Sequence, residues 1–156
     1  AGSFDHRSDF TSLAADLLFE KPFGNNMDMG VLTFNAEYKR YWAGYNDAAF
    51  AAPVGDCFCM FRGQSYMMYG MYLLPQEVGI GKFQPYGRYT FIQPESSTNR
   101  DEVEAGVNYV IDGLNARISA YWQYGNLETI NKLNYAPNLA LGDKFSAFRV
   151  GLQLQF

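Results

Sequence analysis

From Phe148 to Phe156 an apolar side chain stands at every second position. Phe148, Val150, Leu152, Leu154 and Phe156 form one face, and Arg149, Gly151, Gln153 and Gln155 form the other. A period of two belongs to a β-strand between unlike surroundings. Six further segments repeat it. About Phe10 to Glu20, Leu13, Ala15, Leu17 and Phe19 oppose Ser12, Ala14, Asp16, Leu18 and Glu20, with Leu18 breaking the pattern. An amphipathic helix capped by Thr11 or Ser12 is the alternative there. About Gly30 to Arg40, Leu32, Phe34, Ala36 and Tyr38 oppose Thr33, Asn35, Glu37 and Lys39. Gln64 to Leu74 is apolar or aromatic on both faces. Its outward set is assigned as Met67, Tyr69, Met71 and Leu73, because Gln64, Tyr66, Met68, Gly70 and Tyr72 are smaller and more polar.

Three strands remain. About Lys82 to Ile92, Phe83, Pro85, Gly87, Tyr89 and Phe91 oppose Gln84, Tyr86, Arg88 and Thr90; Pro85 cannot donate to a ladder and predicts a ragged start or a bulge. About Glu102 to Ile111, Val103, Ala105, Val107, Tyr109 and Ile111 alternate with Glu102, Glu104, Gly106, Asn108 and Val110. About Asn115 to Tyr124, Ala116, Ile118, Ala120 and Trp122 alternate with Arg117, Ser119, Tyr121 and Gln123.

Seven strands leave connections of 9, 23, 7, 9, 3 and 20 residues, with Asp112-Gly113 the tightest hairpin. In an antiparallel meander alternate connections emerge at the same end, so the longer loops share one side. Short turns on one side and long loops on the other characterise outer-membrane barrels. The eight-residue spacings Phe83 to Phe91 and Phe148 to Phe156 then span about 20 Å of height at about 40° of tilt. Tyr38, Trp42, Phe83, Phe91, Tyr109, Trp122, Phe148 and Phe156 are the expected membrane-interface aromatics, offering apolar surface and a polar edge together.

Composition agrees with that expectation. Aromatics make up 17% of the chain and charged residues 18%, against roughly 25% charged in soluble domains. No run of 18 apolar residues exists, which excludes a spanning helix on sequence grounds. A net charge of -4 without a Lys/Arg run argues against a nucleic-acid partner. Cys57 and Cys59 are too close for an unstrained bond and too weakly patterned for a metal site, so they read as free thiols or as partners of another chain. No cofactor is expected. Ala1-Gly2-Ser3 does not read as a signal peptide.

The expected fold is therefore all-β, a transmembrane antiparallel β-barrel meander in one domain over residues 1–156. Residues 1–9 form an irregular start, 10–40 the first two strands, 41–63 a long external loop, and 64–156 strands three to seven. Seven strands cannot close an antiparallel single-chain barrel, so the chain reads as the C-terminal section of a larger barrel of about 16 strands. An eight-stranded barrel, completed by residues 1–8 or by Pro53 to Arg62, is the alternative.

From Gln64 onward the chain resembles the C-terminal half of a Gram-negative porin, closest to the phosphate-selective porin O/P family. The likeness rests on Gly70-Met71-Tyr72-Leu73-Leu74-Pro75, on Gly81-Lys82-Phe83-Gln84-Pro85-Tyr86-Gly87-Arg88-Tyr89, and on the alternating end at Phe156. The resemblance implies a barrel in the outer membrane, commonly a homotrimer, passing small hydrophilic solutes by diffusion, with lipid and lipopolysaccharide as surroundings and the remaining strands elsewhere. The candidate pore-lining residues are Asp16, Glu37, Lys39, Arg88, Glu102, Glu104, Arg117 and Arg149. Because Glu102 and Glu104 intervene among the arginines, phosphate selectivity does not carry over.

Enzyme chemistry is not expected. His6 is the single histidine, and Glu102 and Glu104 are an i, i+2 carboxylate pair without a companion nucleophile. The loop carboxylates Asp47, Asp56 and Asp143 read as solvated rather than as cation ligands. Two other functions compete with the pore. One is a soluble lipocalin-like barrel with the apolar face inside; the other is a membrane barrel that sheathes a partner protein.

Overall fold

A computed structural model describes residues 10–25, 29–43, 62–95, 98–113, 115–127 and 143–155. Its elements are β1 (Phe10–Pro22), β2 (Val31–Ala43), β3 (Gly63–Leu73), β4 (Glu77–Val78), β5 (Gly81–Pro94), β6 (Arg100–Asp112), β7 (Ala116–Gly125) and β8 (Phe145–Leu154). All pairings are antiparallel, in the order β1-β2-β3-β5-β6-β7-β8, with the two-residue β4 added beside β5. The helical alternative for the first segment is not taken: thirteen residues of β1 run in unbroken register with β2. Residues 1–9, most of 41–63, His6, Asp47, Asp56, Cys57, Cys59 and Phe156 lie outside the described residues.

The sheet is open, with β1 and β8 as its two ends. This corrects the expected barrel of about 16 strands, its eight-stranded variant, and the lipocalin-like alternative. The physical reason lies in direction. As the odd strand count required, β1 and β8 run the same way and do not pair, and the described residues form a sheet with two free ends rather than a barrel wall closed on itself. Two-faced alternation and the loop rhythm belong to any such meander and do not specify closure. The described residues thus give no support to the pore, the sheathing barrel, the outer-membrane location, the contacts with lipid and lipopolysaccharide or the homotrimer. No helix among the described residues is long and apolar enough to cross a membrane.

Pairing sorts the side chains onto two faces. The apolar face carries Leu17, Phe34, Tyr66, Phe83, Val107, Ile118 and Leu152 with their alternates, as shown by Leu17↔Ala36, Tyr38↔Tyr66, Tyr66↔Phe91, Phe83↔Tyr109, Val107↔Ala120 and Ile118↔Leu152. β3 is therefore turned over relative to expectation. Tyr66 and Met68 join the apolar face, while Met67, Tyr69 and Met71 stand opposite Glu37, Asn35 and Thr33 on the polar one. Its own sequence is apolar on both sides, so the neighbours decide the orientation.

Pro85 causes no bulge either: it pairs in continuous register with Val107. The β3 ladder ends at Tyr86, one residue short of the proline, so the missing donor coincides with the end of that ladder. The register shift falls instead between Val110 and Asp112, beside the turn where Gly113 has φ +47° and the Asn115 amide donates to the Asp112 carbonyl at 2.7 Å.

Candidate ligand groove on the polar face

Register lays the polar face out in rows across the strands. One runs Asn35, Tyr69, Arg88, Glu104, Gln123; the next runs Thr33, Met71, Tyr86, Gly106, Tyr121, Arg149; a third runs Gln84, Asn108, Ser119, Gly151. In the second row Gly106 separates two tyrosines. A methyl group there would lie 2.5 Å from the Tyr121 Cβ and 2.6 Å from the Ala120 carbonyl oxygen, so only glycine leaves the floor flat enough for Tyr121 to sit against it.

Above that floor is a cavity of about 280 Å³ lined by Tyr69, Met71, Tyr86, Arg88, Glu104, Asn108, Arg117, Ser119 and Tyr121. Glu104 anchors one end. Its two oxygens accept from the Tyr86 hydroxyl at 2.6 Å and from Arg88 Nη2 at 2.5 Å. The same guanidinium nitrogen lies 3.6 Å from Glu102, which also accepts from Gln123 Nε2 at 3.3 Å. Glu102, Glu104 and Gln123 are nearly inaccessible, whereas Arg88 is partly exposed. Two buried carboxylates are thus held by one arginine and neutral donors, as buried charges require. Burial, and next the hydrogen bond and repulsion from the Glu104 carboxylate, push the Tyr86 phenol well above its ordinary value and keep it protonated.

The groove continues through neutral groups. Ser119 Oγ donates to Asn108 Oδ1 at 2.7 Å, and Asn108 Nδ2 donates to Gln84 Oε1 at 3.1 Å. At the far end Arg117 Nη2 donates to Gln153 Oε1 at 2.8 Å, while its Nε is buried and unpaired.

The eight charged residues singled out in the sequence share this face but not one site. Arg88, Glu102 and Glu104 form the central cluster, with Arg117 at the end of the groove. Arg149 is opposite Tyr121 on β8. Asp16, Glu37 and Lys39 form a separate group on β1 and β2. There Asn35 donates to Asp16 at 3.0 Å and Lys39 lies 2.8 Å from Glu37, an interaction that raises the lysine above its ordinary value.

Sequence reasoning missed Tyr69, Met71, Tyr86, Asn108, Ser119 and Tyr121 as site residues. The first two were hidden by the reversed orientation of β3. The others carried a usable signal: tyrosines on the polar phase of strands flanking a glycine at the matching phase.

Tyr38, Trp42, Phe83, Phe91, Tyr109, Trp122 and Phe148 occupy the apolar face, several of them in ring contacts within a strand or across to the next. Tyr38 meets Tyr66 at 5.0 Å between ring centroids, Phe83 meets Tyr109 at 5.1 Å, and Trp122 stacks on Tyr124 at 6.0 Å. Arg40 lies over Trp42. Asp143 is in the connection before β8, outside the groove. Among the described residues no three His, Cys, Asp or Glu side chains are grouped to hold a metal ion.

Comparison with family models, curated proteins and solved structures gives no match, so the resemblance to the O/P porins fails alongside the barrel it implied and the groove is interpreted on its own chemistry.

Proposed function

We propose that the chain is a non-catalytic binding module whose polar face holds a small ligand rich in hydrogen-bond acceptors. One observation carries the reading: three tyrosine rings and two arginines converge on one cavity, with Asn108 and Ser119 tied to each other along its floor. Its volume of about 280 Å³ falls just below the roughly 300–1,000 Å³ typical of drug-sized ligands, which favours a smaller guest. Tyrosine rings offer flat apolar area together with a hydroxyl, a combination suited to ring-containing polar molecules. Binding is favoured over catalysis because Glu104 has both oxygens engaged and Glu102 faces the same guanidinium. A general base needs a carboxylate free to take a proton from substrate.

The test is a titration of the purified chain with benzamide and benzoate, followed through the ring resonances of Tyr69, Tyr86 and Tyr121. Saturable, concerted shifts of these three rings are expected, lost in Tyr121→Ala, with the solutes recovered unchanged. Shifts that never saturate, or that ignore the three tyrosines, would overturn the proposal.

A further inference from the structure

The donors and acceptors of the groove do not balance. Every acid that reaches it is already satisfied: Glu104 by Tyr86 and Arg88, and Glu102, behind it, by Gln123 with Arg88 alongside. Asn108 and Ser119 satisfy one another and Gln84. What remains unspent is donor capacity at the opposite end. Arg117 has a neutral side-chain partner, Gln153, and a buried Nε with none. Lys82 shares its row through Val110, and its acid, Glu77, lies at 3.9 Å on an exposed strand. Among the described residues no carboxylate pairs with the guanidinium at this end of the cavity, and its orphaned donor is unfavourable until an acceptor reaches it.

Resting on the groove reading above, we infer that the ligand is a small organic carboxylate whose anionic group is received by Arg117 while its body lies against the tyrosines. A guanidinium presents several coplanar donors and matches a planar carboxylate better than a point charge does. The Nε that now faces no partner gains a charged acceptor on binding, and Gln153 keeps Nη2 oriented. Phosphate satisfies the charge but leaves the aromatic lining of Tyr69, Tyr86 and Tyr121 uncovered. A flat organic acid uses both. No covalent change is involved.

Benzoate, benzamide and inorganic phosphate, titrated separately into the purified chain at pH 7 and low salt, decide the matter. Benzamide has the same ring without the charge. Benzoate is expected to bind at least ten times more tightly than benzamide, and phosphate more weakly than either. Arg117→Gln should bring benzoate down to the benzamide level without changing benzamide itself. Arg117→Lys, which keeps the charge on a different shape, should retain part of the preference and guards against a simple folding defect. Lys39→Gln, paired to Glu37 outside the groove, should bind as the parent does.

Equal affinity for benzoate and benzamide, or an unaltered preference in Arg117→Gln, overturns the carboxylate assignment and leaves the binding module standing. Phosphate binding more tightly than benzoate, with benzamide still bound, does the same. Failure of both aromatic solutes to bind removes the groove reading and this inference together.

Discussion

The two faces of this sheet use their side chains in opposite ways. On the apolar face Phe148, Val150 and Leu152 are 66–70% exposed, and Leu17 and Leu18 at the other edge, one on each face, are as open. On the polar face Glu102, Glu104, Asn108 and Gln123 are no more than 6% exposed. A single layer thus shields polar groups on one face and displays apolar ones on the other. Local order then comes from directional bonds rather than from an oily core. The Tyr86–Glu104–Arg88 chain and the Ser119–Asn108–Gln84 chain each link adjacent strands across the ladder. The apolar face contributes cross-strand ring contacts, such as the tilted pair of Phe83 and Tyr109, while at its edge Phe148, Val150 and Leu152 stay largely open.

If polar bonding holds the centre, removing its hub must cost more than removing a large hydrophobe. Glu104→Ala strips the acceptor from both Tyr86 and Arg88 and is expected to lower stability by about 2–4 kcal/mol in urea unfolding. Phe148→Ala, despite deleting a whole ring, should cost less than about 1 kcal/mol because the ring is 70% exposed already. A larger loss at Phe148 than at Glu104 would break the contrast.

The next effect compares two glycines of the polar face. Gly106→Ala forces a methyl group against the Tyr121 Cβ and the Ala120 carbonyl and is expected to cost about 1–3 kcal/mol and weaken benzamide binding. Gly151→Ala meets nothing within 4 Å and should change stability by less than about 0.5 kcal/mol. Equal losses at both positions in parallel unfolding curves would mean that backbone entropy, rather than the seating of Tyr121, sets the requirement for glycine.

How much of this was legible in the sequence depended on how local each cause is. The alternation of Phe148 to Leu154, of Val103 to Tyr109 and of Leu32 to Tyr38 is a property of each strand alone, and it correctly separates the two faces. Gln64 to Leu74 has no such internal signal, and its orientation comes from the pairing of Tyr66 with Tyr38 and Phe91. Closure is less local still. It depends on whether the first and last strands can meet: the count of seven already showed that these strands cannot close on one another, while the aromatic ending of one alternating strand says nothing of it. The charged members of the groove were visible as members of a polar face, yet their grouping was not. Arg88 meets Glu102 and Glu104 through cross-strand register, while Asp16, Glu37 and Lys39, identical in kind, are held in a separate cluster two strands away.

A smaller effect appears at high pH and sharpens the role assigned to the polar bonds. The Tyr86 phenol is raised above its ordinary value, chiefly by burial and then by Glu104. Between the ordinary tyrosine pKa of about 10 and the folded value, the unfolded chain loses this proton while the folded chain keeps it. Stability from Tyr86 is therefore complete below about pH 10 and declines as pH rises through the folded value. Lys39, raised mainly by its hydrogen bond to Glu37, has the same sign but is nearly solvated and contributes less. Tyr86→Phe should flatten the alkaline fall measured by denaturant midpoints between pH 9 and 11.5. An undiminished slope would show that other groups govern it.

The smallest change in stability is expected where the surface chemistry changes most. Leu152 sits on the open edge strand, 66% exposed, opposite Ile118. Replacing it with serine removes apolar area that folding never took out of water, so the unfolding free energy should move by less than about 0.5 kcal/mol. A continuous apolar surface nonetheless recruits hydrophobic dyes and other apolar molecules. Leu152→Ser should therefore lower the fluorescence of a bound naphthalene-sulfonate dye while leaving benzoate affinity unchanged. Leu18→Ser makes the same chemical change among the polar rows, opposite Asn35, and isolates the face as the variable. Its exposure of 62% is nearly equal, but it lacks an apolar field around it and should alter dye binding much less. Equal dye loss in the two variants would mean that the dye reads individual exposed leucines, and that the apolar face does not act as one surface.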